Sequence, residues 1–182
     1  MQQMIIMDKK IIFSAILFLG SAGVLLSQVK LSPSAVKKYD KAVSLLWQGT
    51  SVFKEKIITG QVPAGSDAAD LYILKTGSDI LGYAFFGETR GRSEEFSYVV
   101  FFKPDLSVKS VQLLDYRESY GSEIGSPRWL RQFENKKDGE GIEFGKDIKN
   151  ISGATISAKA ITAGVKRLTA RMAELKRQGV LK

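Results

Sequence analysis

Between positions 71 and 116 the chain is written in short runs of aromatic and β-branched residues. Beyond position 155 it changes to one long pattern of helical period. This order, strands first and the long helix last, constrains the fold most. The runs at 71–75 and 80–86 are parted by Thr-Gly-Ser-Asp, a hairpin-like turn. A third run covers 95–103, a turn falls at Pro104 and Asp105, and a fourth run covers 108–116. Strands joined by such short turns pair antiparallel. A block of strands followed by helix, without strand–helix alternation, gives the α+β class. The expected architecture is an antiparallel sheet with flanking helices.

Around this block the punctuation is local. Pro33 starts a short helix over 34–47, with Val36, Tyr39, Val43 and Leu46 on one face. Residues 59–69 read as a loop, and 87–91 as a loop at a sheet end. A short helix carrying Trp129 is expected over 127–135. A polar loop at 136–141 and an extended stretch at 142–148 follow. Upstream, Lys9 and Lys10 precede an uncharged apolar run at 11–29. That run just reaches the roughly 20 residues that span a bilayer core. A cleaved signal peptide is the alternative, with small residues at 21–23. The apolar run continues past Gly23 and no clean Ala-x-Ala site follows, which favours an uncleaved anchor. The division expected is a membrane anchor or signal helix at 1–30 and one domain at 31–182. The domain is expected at the cell membrane, on its extracytoplasmic (periplasmic) side.

The chain has no His and no Cys. That removes the usual base near neutral pH, thiolate nucleophiles, Cys- or His-ligated zinc, and the common haem and iron–sulfur ligands. No catalytic residue and no metal site is assigned. A carboxylate-based hydrolase is not excluded by this. The net charge of +8 raises nucleic acid as a partner. The charge is spread, however, and no nucleic-acid recognition motif accompanies it, so no nucleic acid is expected. A basic surface facing lipid headgroups or an acidic redox partner accounts for it equally well.

Residues 152–157 read Ser-Gly-Ala-Thr-Ile-Ser and open the long helix. Ile161, Val165, Leu168, Met172 and Leu175 recur at steps of four and three, one helix face. Lys159, Lys166, Arg167, Arg171, Lys176 and Arg177 lie mostly off it. Taken alone, Ser152, Thr155 and Ser157 could simply cap the helix, Thr155 contributing about 1 kcal/mol in that role. Residues 116–125 read Tyr-Arg-Glu-Ser-Tyr-Gly-Ser-Glu-Ile-Gly, followed by Trp129 and Phe133.

The hexamer resembles the flavinylation motif of FMN-binding domains. These occur in the G subunit of Rnf-type electron-transport complexes and the C subunit of the sodium-pumping NADH:quinone reductase. The segment 116–125 resembles the family's Glu-Thr-Pro-Gly-Leu-Gly segment. It lacks a Pro before Gly121, and Ser122, Glu123 and Ile124 replace the short Leu-Gly step. The likeness covers about 71–175. It implies FMN bound covalently through a phosphoester to Thr155. Ser152, Gly153, Ala154, Ser157, Glu118, Gly121 and Trp129 would help to build the cofactor site. A phosphoester needs a hydroxyl, and small neighbours let a phosphate approach the backbone. A helix N-terminus favours the anion. Tyr120 and Trp129 are candidates to pack on the flavin ring, and Arg90 and Arg92 to reach its phosphate. The resemblance further implies a separate flavin transferase, using FAD and a divalent metal. It implies an electron carrier rather than a stand-alone enzyme, relaying between membrane redox complex subunits or quinone- or cytochrome-type carriers. A non-catalytic exported envelope binding module without flavin, or a flavin reductase with loosely held FMN, are the competing readings.

Overall fold

The computed structural model of the protein describes residues 31–57 and 71–181. The expected anchor at 1–30 and the loop at 59–69 lie outside the described residues. Among the described residues, no helix is long and apolar enough to cross a membrane.

Among the described residues, five strands form one antiparallel sheet in sequential order: β1 (Phe53–Lys56), β2 (Leu71–Thr76), β3 (Asp79–Arg90), β4 (Glu95–Phe102) and β5 (Val108–Asp115). The α+β class and the antiparallel sheet with flanking helices are as the sequence predicts. β1 is not predicted. Its Phe-Lys-Glu-Lys carries no alternation because all four residues are exposed at the sheet edge. Only pairing with β2, from Phe53 opposite Lys75 to Lys56 opposite Tyr72, makes it a strand. Its charges discourage pairing with another chain.

β3 is longer than its apolar pattern. Residues 87–90, expected to be a loop, continue the strand to Arg90, opposite Glu95. Gly87 lies opposite Tyr98, and a Cβ there would run into the Tyr98 ring. The glycine that reads as a turn signal instead makes room for an aromatic side chain.

Both faces of the sheet are covered, which β4 shows best because successive side chains point to opposite faces. Phe96, Tyr98, Val100 and Phe102 join one apolar cluster with Trp129, Phe133 and the stripe of helix α3 (Thr155–Arg177). Val99 and Phe101 join another, with Phe86 and Leu114, under helix α1 (Pro33–Leu46). The predicted α3 stripe of Ile161, Val165, Leu168, Met172 and Leu175 is wholly buried.

Helix α1 begins where Pro33 predicts, with the Ser32 hydroxyl accepting from the Ala35 N–H at 3.1 Å. Its buried face is rotated from the predicted one. Ala35, Tyr39 and Ala42 face the sheet, while Val36 is exposed. The two alanines let the helix lie close to the strands, and Tyr39 fills the space between Phe86 and Phe101.

On the opposite face, α3 is keyed to the sheet by one side chain. The Tyr98 hydroxyl reaches Gly164, where a Cβ would overlap it. Tyr98 thus lies between Gly87 on β3 and Gly164 on α3. This contact sets the distance of α3 from the sheet. Between β5 and α3, a short helix α2 (Pro127–Leu130) is flanked by 3-10 turns at Ser122–Gly125 and Arg131–Phe133. The stretch 142–148 forms no strand, only an isolated bridge between Phe144 and Ile148.

Candidate functional site: a cleft at the start of the last helix

The N-terminus of α3 opens into a cleft of about 640 Å³. Three segments wall it: the β3–β4 turn (Arg92, Ser93, Glu94), the stretch after β5 (Arg117, Glu118, Ser119, Tyr120), and the helix start (residues 153–157). The chain separates these segments by tens of residues, and the sheet's register brings them to one end.

Thr155 is the first helical residue, and it is exposed. The N-cap is Ala154, and no side chain caps the helix. The alternative reading, in which Ser152, Thr155 and Ser157 only cap the helix, therefore has no hydrogen bond behind it. The ladder begins with the Ala158 N–H donating to the Ala154 carbonyl at 2.8 Å. Helix geometry leaves the N–H groups of Thr155, Ile156 and Ser157 without an intrahelical acceptor. No acidic residue occupies the first turn, and Lys176 and Arg177 occupy the last. The helix start is therefore an electropositive end next to an exposed hydroxyl. Ser152 and Gly153 are exposed as well.

Gly121 and Ala154 bring the two sequence segments into contact. Gly121 has φ of 81°, the left-handed region, and a Cβ there would lie 2.6 Å from the Ala154 Cβ. Both residues are small because the two backbones meet there. Ser157 is buried, and its Oγ lies 3.2 Å from the Tyr116 hydroxyl. Tyr116 also donates to the Tyr120 carbonyl at 3.0 Å, so it ties the Tyr120 loop to the helix. Gly91 lies beneath: a Cβ on it would meet the Glu118 carboxylate, and would lie 2.8 Å from Ser157 Oγ.

Glu118 lines the cleft and accepts from the backbone N–H groups of Ser93 (2.8 Å) and Glu94 (3.2 Å). These two bonds, Ser93 first, hold its carboxyl below the usual carboxylate range. They pin the β3–β4 turn to the stretch after β5. Tyr120 projects into solvent at the cleft, 80% exposed, and Ile156 is 52% exposed on the other wall.

Two residues named from the sequence lie elsewhere. Trp129 does not line the cleft. It is buried against Phe133, and its Nε1 donates to the Lys149 carbonyl at 2.8 Å. It anchors the segment that leads into residues 152–157. Gln132 helps, its side-chain oxygen accepting from the Lys149 N–H at 2.8 Å. Arg90 lines an adjoining depression with Glu88, Glu95 and Asp115 and donates to the Ser93 carbonyl at 3.2 Å. Arg92 does line the cleft. Sequence reading did not name Arg117, Tyr116, Gly91 or Ile156 as site residues. Tyr116 and Arg117 stand inside the quoted segment 116–125, but nothing local marks them. Their roles come from which strand ends meet.

No curated protein matches the chain. The family model described as FMN-binding domain matches residues 76–170, just over half of the chain. The span runs from the last residue of β2 into α3 and includes every wall of the cleft. The chain belongs to the FMN-binding domain family, and FMN is the cofactor to which that membership points.

Proposed function

We propose that this is a membrane-anchored electron-transfer domain carrying FMN through a phosphoester to Thr155. The observation that carries the reading is the placement of Thr155. Its hydroxyl is exposed, caps nothing, and stands at an acid-free helix N-terminus within one cleft with Glu118 and Tyr120.

The residues suit the cofactor. The cleft volume lies within the roughly 300–1,000 Å³ of ordinary ligand sites. Arg92, Arg117 and the first N–H groups of α3 offer positive charge for a phosphate. Tyr120 offers an exposed ring on which a planar group can stack. Bound FMN would supply exchange of one or two electrons. The chain's own residues would position it and tune its surroundings. Attachment itself is delegated. The carboxylates lining the cleft are Glu94 and Glu118, and Glu118 is occupied by backbone N–H groups. A flavin transferase with FAD and a divalent metal is accordingly the expected partner. The uncharged run at 11–29 supports an anchor, with the domain outside the cytoplasm. Electrons would then pass between subunits of a membrane redox complex, or to quinone- or cytochrome-type carriers.

The test is the intact mass of the full chain co-expressed with a flavin transferase. A gain equal to FMN less water, absent in Thr155→Val, is expected. An unmodified mass, with the transferase active on a control substrate, would overturn covalent attachment and favour a binding module.

A further inference from the structure

The two helices that cover the sheet both begin at the same end of it. On one face, α3 starts beside the β3–β4 turn, with Ser157 close to Gly91. On the other face, the direction of α1 follows from its contacts. Lys38 Nζ, in its first half, donates to the Leu114 carbonyl at 2.8 Å, one residue before β5 ends. Trp47, just past its end, packs on Phe101 and lies under Lys109, near the start of β5. Helix α1 therefore runs away from the cleft end, and its first residue lies there. The chain enters the domain at the pole that holds the cleft.

Val29, the last residue of the uncharged run, stands four positions before Pro33. Four residues span at most about 14 Å even when fully extended. The opposite pole holds the β2–β3 turn at Gly77 and Ser78. It is separated from the cleft by the 12 residues of β3, about 40 Å of strand. Exposed apolar side chains do not choose between the poles. Tyr120 and Ile156 line the cleft, whereas Phe53, opposite Lys75, lies by the far turn. The point of chain entry does choose.

We infer that the cleft lies at the membrane-facing pole of the domain, so that a redox partner docking at the cleft is embedded in the membrane. The inference rests on the anchoring reading above and adds an orientation to it. A tether this short keeps the entry pole near the lipid surface and holds the Gly77 turn away from it. A redox partner confined to the aqueous phase would meet the far pole and the sides more readily than the cleft.

The chain has no Cys, so single-site labels carry no background. The experiment uses the full chain in phosphatidylcholine vesicles, a fraction of whose lipids carry a short-range nitroxide quencher on the headgroup. A fluorophore is placed at Ser119→Cys in the cleft wall or at Ser78→Cys on the far turn, both exposed positions. Vesicle flotation is measured in parallel. Co-flotation with several-fold stronger quenching at position 119 than at 78 is expected. Co-flotation with equal quenching, with the reverse order, or with no quenching at either site would overturn the orientation and leave the anchor intact. Failure to float would overturn the anchor and the orientation with it.

Discussion

At residue scale, Thr155 combines exposure with the absence of any capping role, and the two properties make separable predictions. Thr155→Val should remove covalent flavin completely. It should change unfolding free energy by no more than about 0.5 kcal/mol, as for a surface substitution without a special contact. A urea titration alongside the mass measurement checks both. The smaller cost replaces the value expected for a cap. Gly121 is the opposite case. Ala there would adopt a left-handed conformation, costing roughly 1–2 kcal/mol, and would press on Ala154. Gly121→Ala should be destabilised by at least that amount and should load flavin poorly. Wild-type stability and loading would show that the close approach is dispensable. Glu118 predicts a pH dependence. Its folded pKa is depressed below the ordinary 4.5 by the Ser93 and Glu94 N–H groups. Its contribution is therefore present above that value and lost as pH falls through the folded pKa. Between neutral pH and pH about 3, the melting temperature of wild type should fall further than that of Glu118→Gln, which has no proton to gain there.

At the scale of elements, the position of α3 depends on Tyr98 and two glycines rather than on its apolar stripe alone. The stripe dictates which face is buried, and any of several distances from the sheet would bury it. Gly87 and Gly164 select one, with Tyr98 between them. Gly164→Ala should cost about 1–3 kcal/mol, the usual range for overpacking. The cost should be smaller in a Tyr98→Phe background, because the hydroxyl, the nearest atom that Ala would meet, is then gone and only the ring edge remains. Equal costs in the two backgrounds, measured by denaturant unfolding, would mean that Tyr98 does not set the spacing. Because α3 begins at the cleft, its spacing also sets where Thr155 stands. In this way a core contact is a determinant of the site. Trp129 acts similarly from the other side, through its bond to the Lys149 carbonyl.

At the scale of the whole molecule, the sheet has two apolar faces and needs both covered. The family match begins at Thr76, so α1 lies outside it. Yet Phe86, Val99, Phe101 and Leu114 are buried beneath the α1 layer. A chain starting at residue 31 should unfold in one cooperative transition. A chain starting at residue 48 should bind a hydrophobic dye such as ANS and lose that cooperativity, through exposure of this face. Retained cooperativity without dye binding would show that α1 is an accessory rather than a layer of the core.

The sequence by itself determined the class of fold, the apolar faces and the attachment candidate, because each is written in local periodicity or in a contiguous motif. β4 alternates, α3 repeats at three and four, and residues 152–157 are adjacent. It missed or misassigned what depends on a neighbour. Residues 53–56 become a strand only beside β2, and residues 87–90 extend β3 because Tyr98 lies opposite Gly87. Val36 yielded its place to Ala35 because the sheet leaves room for a small residue. Trp129 sits in the core because its indole N–H finds a carbonyl there. Above all, only the tertiary structure decided that the β3–β4 turn, the stretch after β5 and the start of α3 form one cleft, at the pole where the chain enters. That arrangement follows from strand register and from the direction in which each helix crosses the sheet. Both are set by long-range packing, which no local pattern encodes.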